Sequence, residues 1–154
     1  MAGALEIGLW CLLFVASVTD LLWGKIFNAL TFPFLVVGLG LRYFSFGWED
    51  LSIGLLAVGT AVLVFFPLYY AHIMAAGDVK LLMAAGAWLN PSQTLKLAAL
   101  TIVIGALAGI LIRLFRNGLK DLFRSKLTRI PFAPAFLCAF SVLKIAETRG
   151  WTLH

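Results

Sequence analysis

The sequence predicts an all-α, polytopic membrane protein with six transmembrane helices and its N-terminus outside. Three observations support this prediction: the composition, the lengths of the apolar runs, and the distribution of basic residues between the runs. Of the 154 residues, 62% are hydrophobic and 12% are charged, whereas soluble domains have roughly 45–50% apolar and roughly 25% charged residues. A soluble fold could not cover its surface with so few charges, so the bilayer must be the main solvent.

Six apolar runs account for most of the chain. Five of them approach the ~20 residues that a spanning helix needs, and the fourth is shorter. The runs cover residues 2–19, 26–46, 51–71, 79–89, 95–112 and 130–146. The segments between them are too short for a soluble domain, so we expect residues 1–154 to form a single membrane domain.

The first and fourth runs need separate justification. Run 2–19 could be a signal peptide, but residues 1–6 contain no Lys or Arg, and its apolar stretch is longer than that of a typical signal peptide. We therefore expect a retained helix. Run 79–89 is too short to span the membrane alone. If it only dips into the bilayer, five crossings remain and the C-terminus changes sides.

Basic residues between the runs set the orientation. With six crossings and the N-terminus outside, the cytoplasmic segments contain Lys25, Lys80, Arg113, Arg116, Lys120, Arg124, Lys126 and Arg129. The outer segments contain Arg42, Lys96, Lys144 and Arg149. Cations accumulate on the cytoplasmic side of membrane proteins, so this distribution favours the stated orientation over its reverse.

The basic stretch 113–129 has two interpretations. Its apolar residues recur at three- and four-residue steps between cations, a pattern typical of a helix that lies in the interface and is attracted to anionic lipid. The other interpretation is a loop that only sets the topology. No aromatic-lined soluble groove accompanies the charge, so we expect no nucleic acid as a partner. The expected partner of the protein as a whole is the lipid bilayer.

We expect neither a metal site nor a cofactor. The two cysteines, Cys11 and Cys138, fall in separate apolar runs and lack the CxxC spacing of zinc or redox sites. We expect both to be small, buried side chains.

Two acidic residues differ from the rest because of where they fall. Asp20 ends the first run and Asp78 follows Gly77 at the start of the fourth, so the predicted topology puts both at the cytoplasmic face, at similar depth. Acidic residues at membrane spans are costly and usually functional. Each also has an ordinary interpretation, since Asp78 could be a helix N-cap and Asp20 could pair with Lys25.

Two neighbouring carboxylates can perform acid–base chemistry together. Because they cannot both ionise cheaply, they share a proton. The ionised one can take a proton from water while the other donates a hydrogen bond to a scissile carbonyl. Ala75, Ala76 and Gly77 leave room for a substrate backbone to approach. The pattern therefore indicates peptide hydrolysis.

Three stretches carry a resemblance to a known family. AAGDVKLL at 75–82 resembles the GxGD signature of type IV prepilin peptidases, which are intramembrane aspartic proteases. DLLWGKIFNALT at 20–31 is similar to the family's first-aspartate segment, and IPFAPA at 130–135 to its last-helix motif. The length is similar to that of the short branch that serves Flp/Tad-type pili. Three positions depart from the pattern: Ala75 stands in place of the first Gly, Phe27 in place of Pro, and Leu22 in place of a basic residue.

The resemblance implies a function and a site. Its expected substrate is a prepilin, a Flp or type IV pilin or pseudopilin precursor, cut after a Gly at the cytoplasmic face of the bacterial inner membrane. The catalytic residues would be Asp20 and Asp78. The substrate-binding residues would be Gly77, Ala75, Ala76, Lys80 and Asn28. The chain has no room for the cysteine-bearing segment of the methylating members, so no methyltransferase activity is expected.

Two other functions remain open on the sequence. Carboxylates within a membrane also suit an ion-conducting subunit, although transporters usually bind near the midplane and both acids here are expected at one face. Alternatively, the chain is a catalytically idle relative that acts in pilus assembly, an interpretation that Ala75 favours.

Overall fold

The computed structural model describes residues 2–72, 74–117 and 132–149, and these residues form helices and short connections without a strand. The helices are α1 (Ala2–Trp23), α2 (Asn28–Phe46), α3 (Trp48–Tyr70), α4 (Ala76–Gly86), α5 (Pro91–Asn117) and α6 (Ala133–Thr148). The predicted all-α class is therefore confirmed.

Four of these helices, α1, α2, α3 and α5, are long and apolar enough to cross a membrane. The protein is thus a multi-pass membrane protein. Helix α4 has 11 residues, which at ~1.5 Å per residue covers about half of the ~30 Å hydrocarbon layer. Helix α6 has 16 residues. Six crossings and an outer N-terminus therefore remain predictions.

The connections from α1 to α5 are short, with one to five residues each, and bring alternate helix ends together. Gly47 alone joins α2 to α3, at φ 83°, a left-handed conformation that glycine adopts without steric cost. At the end of the bundle that includes this turn, the first residues of α1 and α5 meet the last residues of α2 and α6. They surround a cavity of about 300 Å³ with Glu6, Phe46, Asp50, Asn90, Gln93 and Lys144 among its lining residues. We call this the distal end.

Helix α4 lies in the centre of the bundle. It packs against α1, α2, α3 and α5, and seven of its eleven residues are buried. Small residues allow this close approach: a Cβ added at Gly86 would lie 3.0 Å from the carbonyl oxygen of Ala57 on α3. A short helix can be central because four longer helices pack against it.

The distal end of α4 is fixed by one aromatic side chain. Trp88 is 6% exposed and fills a slot made by Gly8 of α1 and Gly38 of α2, where an added Cβ would come within 2.1 Å and 2.8 Å of the indole, respectively. Its Nε1 donates a hydrogen bond to the carbonyl oxygen of Phe34 at 3.0 Å. Helix α4 is therefore held between α1 and α2 at this end.

A buried cation adds a second contact there. Arg42 on α2 is 3% exposed, its Nε donates to the carbonyl oxygen of Ala87 at 3.0 Å, and its guanidinium pairs with Asp50 at 3.1 Å. The guanidinium thus satisfies a carbonyl at the end of α4, where helical hydrogen bonding stops.

The prediction that both cysteines are buried is wrong. Cys11 and Cys138 are exposed on the outer faces of α1 and α6. An apolar side chain on a membrane-embedded helix can face lipid as readily as the protein interior, so hydropathy does not distinguish the two.

Of the basic stretch 113–129, only the part up to Asn117 is seen, as the end of α5. Residues 118–131 lie outside the described residues, and the two interpretations of this stretch are not tested.

Candidate active site

Asp20 lies in the last turn of α1 and reaches across to α6. Its Oδ2 accepts a hydrogen bond at 3.0 Å from the backbone N–H of Ala133, the first residue of α6. One turn earlier, the Ser17 hydroxyl donates to the carbonyl oxygen of Leu13 at 2.7 Å and lies 3.1 Å from that of Ala133. Asp20 is 8% exposed. Its carboxylate therefore helps to hold the start of α6 against α1.

Asp78 lies in the first turn of α4. Its Oδ2 accepts a hydrogen bond at 3.2 Å from the backbone N–H of Ala75, the residue that precedes the helix. This contact, from the third helical residue back to the N-cap backbone, is one half of a capping box. Asp78 is 6% exposed, so the helix start keeps the carboxylate at the edge of the protein interior.

The structure contains neither the N-cap role suggested for Asp78 nor the ion pair suggested for Asp20. Ala75, and not Asp78, occupies the N-cap position of α4. Asp20 and Lys25 form no ion pair; the ion pairs among the described residues join Arg42 to Asp50 and Lys144 to two glutamates.

Both aspartates line one cavity of about 560 Å³ at the end of the bundle opposite the distal end. Its other lining residues are Leu21, Gly24, Lys25, Ile26, Phe27, Asn28, Ala75, Ala76, Gly77 and Phe132. We call it the aspartate cavity. Its volume lies within the ~300–1,000 Å³ typical of ligand sites. Six of the seven residues that the sequence singled out therefore line a common space.

The seventh residue, Lys80, lies beside this cavity. Its Nζ donates a hydrogen bond to Oδ1 of Asn28 at 3.0 Å, and both side chains are exposed. The two predicted substrate-binding residues thus contact each other and bridge α4 to the start of α2.

The connection between α1 and α2 supplies a wall of the cavity that the sequence did not predict. Gly24, at φ 61°, donates its N–H to the carbonyl oxygen of Asp20 at 2.8 Å and ends α1, which is the usual role of a glycine after a helix. The chain then returns so that Ile26 packs on Gly77, where an added Cβ would lie 3.3 Å from Cβ of Ile26. Gly24 could have indicated the end of α1 from the sequence. The contact between Ile26 and Gly77 could not have been predicted, because it depends on how the chain folds back.

Phe132, next to the start of α6, is another lining residue that the sequence did not predict. Its only sequence signal is the IPFAPA stretch, which does not indicate where the ring points. Ile130 and Pro131 of that stretch lie outside the described residues.

Comparison with known protein families identifies the group to which the sequence belongs. Residues 7–110, more than half of the chain, match the model of the type IV leader peptidase family. The chain belongs to this family. No curated protein and no solved structure matches it. The matched residues include both aspartates and α4, whereas α6, which binds Asp20, lies beyond them.

Family membership confirms the resemblance seen in the three stretches. It identifies the chain as a leader peptidase-like membrane protein with prepilin-type substrates in general. The cavity places two nearly buried carboxylates beside the small residues Ala75, Ala76 and Gly77.

Proposed function

We propose that this protein is an intramembrane aspartic endopeptidase that removes the basic leader of a type IV prepilin, of the Flp type, at the cytoplasmic face of the bacterial inner membrane. One observation carries the proposal: Asp20 and Asp78, far apart in the sequence and each less than a tenth exposed, line the same cavity.

The proposed reaction uses the two carboxylates as one acid–base unit. They share a single proton, as paired carboxyl groups do. The ionised carboxylate takes a proton from water as the hydroxyl adds to the scissile carbonyl carbon, and the protonated carboxyl hydrogen-bonds to the carbonyl oxygen. A proton then passes to the leaving nitrogen, the C–N bond breaks, and a carboxyl group and an amine are released.

The hydrogen bonds to the backbone support this role because they orient the side chains. Asp20 and Asp78 each use Oδ2 to accept a backbone N–H, from Ala133 and Ala75 respectively. Groups held in this way need less reorganisation during the reaction, which is a general requirement for efficient acid–base catalysis. Ala75 and Ala76 are exposed, so their small side chains allow a peptide backbone to approach.

The test is co-expression with a candidate prepilin, followed by a gel-mobility assay of leader removal. We expect Asp20→Asn and Asp78→Asn each to lower the cleavage rate by at least about 10²-fold, the usual contribution of a general acid or base, while the protein still inserts in the membrane. Glu49→Gln is the matched control, since Glu49 is an exposed acid on the first turn of α3. Full cleavage by either aspartate variant would reject the dyad.

A catalytically idle relative is the second candidate, and Ala75 is the observation that favours it. Ala75 lines the aspartate cavity, so its methyl group occupies space that the glycine usual in the family would leave to the substrate. The backbone itself does not require glycine, because Ala75 has φ −81° and ψ 152°, an extended conformation that any residue adopts. Purified protein that binds the prepilin without cutting it would replace the protease proposal with this one.

A further inference from the structure

A second concave surface adjoins the aspartate cavity. It is a groove of about 370 Å³ between α2 and α4, lined by Asn28, Thr31, Phe32, Leu35, Lys80 and Met83. We call it the α2–α4 groove. Asn28 lines both the groove and the aspartate cavity, so the two spaces are neighbours.

The groove follows one face of each helix away from the aspartates. On α2 its residues have the spacing i, i+3, i+4 and i+7, from Asn28 to Leu35, which is a single helical face. On α4, Ala76 lines the aspartate cavity, and Lys80 and Met83, four and seven residues later, line the groove. At ~1.5 Å per residue, the α2 stripe is ~10 Å long, or about two helical turns.

The groove changes from polar to apolar along its length. Its end near the aspartates carries the hydrogen bond between Lys80 and Asn28, and its far end is formed by Leu35 and Met83. Phe32 is 69% exposed on a helix long and apolar enough to cross the membrane. The far end therefore opens towards lipid, and the near end towards the aspartates.

We propose that the α2–α4 groove binds the first two turns of the substrate's apolar helix, so that the substrate enters laterally between α2 and α4. The inference rests on the proposed peptidase function. A peptidase that cuts between a polar leader and an apolar helix needs a polar cavity beside an apolar groove, and here Asn28 lines both spaces. Docking of an amphipathic or apolar helix in a groove is a common recognition mode.

The Lys80–Asn28 pair has the right chemistry for the point where the substrate helix begins. The first N–H groups of any helix lack partners within that helix, and the amide oxygen of Asn28 can accept one of them. The extended segment before the helix has free carbonyl groups, to which the Lys80 ammonium can donate. The substrate would therefore exchange the Lys80–Asn28 hydrogen bond for contacts with its own backbone.

Photocrosslinking tests the location of the substrate directly. A photoreactive phenylalanine analogue replaces Phe32 in the Asp78→Asn protein, co-expressed with the uncut prepilin. Phe44 is the control, because it lies on the same helix, outside the groove, and is 86% exposed. We expect a crosslink to the prepilin from position 32 and at least tenfold less from position 44. Crosslinks to lipid alone, or equal yields from both positions, would overturn the proposal.

A steric variant tests whether the groove contributes to binding. We expect Leu35→Trp, which fills the groove, to raise KM for the prepilin at least tenfold with little change in kcat. The neighbouring Val36 is 52% exposed and does not line the groove, so Val36→Trp should leave KM unchanged. If wild-type protein cuts the prepilin and Leu35→Trp has the wild-type KM, the groove inference fails and the peptidase proposal stands. If wild-type protein cuts no prepilin, the peptidase proposal itself fails.

Discussion

At the scale of single residues, Asp20 combines two tasks that can be separated by substitution. Its carboxylate lines the aspartate cavity and also accepts the N–H of Ala133, which is fully buried. Asparagine retains an oxygen that can accept this hydrogen bond but cannot share a proton as a carboxylate does. Alanine removes both functions.

We therefore expect the two Asp20 variants to differ in stability although both lose activity. Asp20→Ala leaves a buried N–H without an acceptor, which costs about 1–3 kcal/mol, so its free energy of unfolding should fall by that amount relative to Asp20→Asn. Thermal unfolding of the purified proteins in detergent measures the difference. Equal stabilities would show that the Asp20–Ala133 hydrogen bond contributes nothing to the docking of α6.

The residues of the site were partly predictable because charged side chains are rare in membrane spans and therefore stand out in the sequence. Asp20 and Asp78 could be selected from the sequence, since a carboxylate at a membrane span is costly. The hydrogen bond from Ala133 to Asp20 could not, because it depends on how α6 packs against α1. Cys11 was predicted wrongly for a related reason, since lipid and protein interior are equally apolar.

At the scale of helices, the structure corrects where α4 begins and ends. The apolar run covers 79–89, whereas the helix covers Ala76–Gly86. Hydropathy records which side chains tolerate an apolar environment. Helix ends depend instead on how the unpaired backbone groups are satisfied, and here the N–H of Ala75 donates to the Asp78 carboxylate. The polar Asp78 is therefore part of the helix, although it interrupts the apolar pattern.

The anchoring of α4 by Trp88 leads to a prediction about two neighbouring glycines of α2. A Cβ at Gly38 would lie 2.8 Å from Nε1 of Trp88 and 3.1 Å from Cβ of Ala87, whereas at Gly40 it would meet nothing within 4 Å. We expect Gly38→Ala to destabilise the protein by about 1–3 kcal/mol, the usual cost of overpacking.

Gly40→Ala is the matched control, and it should be neutral or slightly stabilising because alanine favours helix. Thermal unfolding in detergent, together with prepilin cleavage, measures both variants. We expect cleavage to fall in Gly38→Ala because α4 also carries Asp78. A Gly38→Ala protein as stable as Gly40→Ala would show that the Trp88 slot does not hold the helix.

At the scale of the whole molecule, side-chain contacts at the distal end join helices that are far apart in the sequence. Lys144 of α6 pairs with Glu6 of α1 at 3.3 Å, and Gln93 of α5 donates to Glu147 of α6 at 3.1 Å. The end of α6 thus lies beside the starts of α1 and α5. Because the connections from α1 to α5 are short, the sequence predicts that these helices run alternately in opposite directions. It does not predict which helices become neighbours, because that depends on side-chain packing, such as the fit of Trp88 against Gly8.

The corresponding prediction concerns the side of the membrane on which exposed positions lie. In a protein without Cys11 and Cys138, single cysteines at Ser52 and Thr148 should react with a membrane-impermeant maleimide added outside, and a cysteine at Lys25 should not. All three positions are exposed. If α4 does not count as a crossing, Ser52 and Thr148 will be labelled from opposite sides. Labelling of Lys25 alone from outside would reverse the orientation.

The two cavities at opposite ends of the molecule also bear on the ion-conducting alternative. Along α1, Leu12, Leu13 and Ala16 are fully buried between the distal cavity and Asp20, and Ser17 donates its hydroxyl to a backbone carbonyl. Along α4, Leu81 and its neighbours from 82 to 85 separate Asp78 from the distal end and are mostly buried. A proton relay needs a chain of ionisable or hydrogen-bonding side chains, and these stretches do not supply one.

We therefore expect liposomes that contain the wild-type protein to show no more proton leakage than liposomes with Asp78→Asn. A pH-sensitive dye trapped in the vesicles, with a potassium diffusion potential as driving force, measures the flux. Matched protein content is the control, because any inserted bundle raises leakage slightly. Proton flux that requires Asp78 would mean that the apolar layer between the two cavities opens, and the carboxylate would then serve as a relay across the membrane in addition to any role in cleavage at one face.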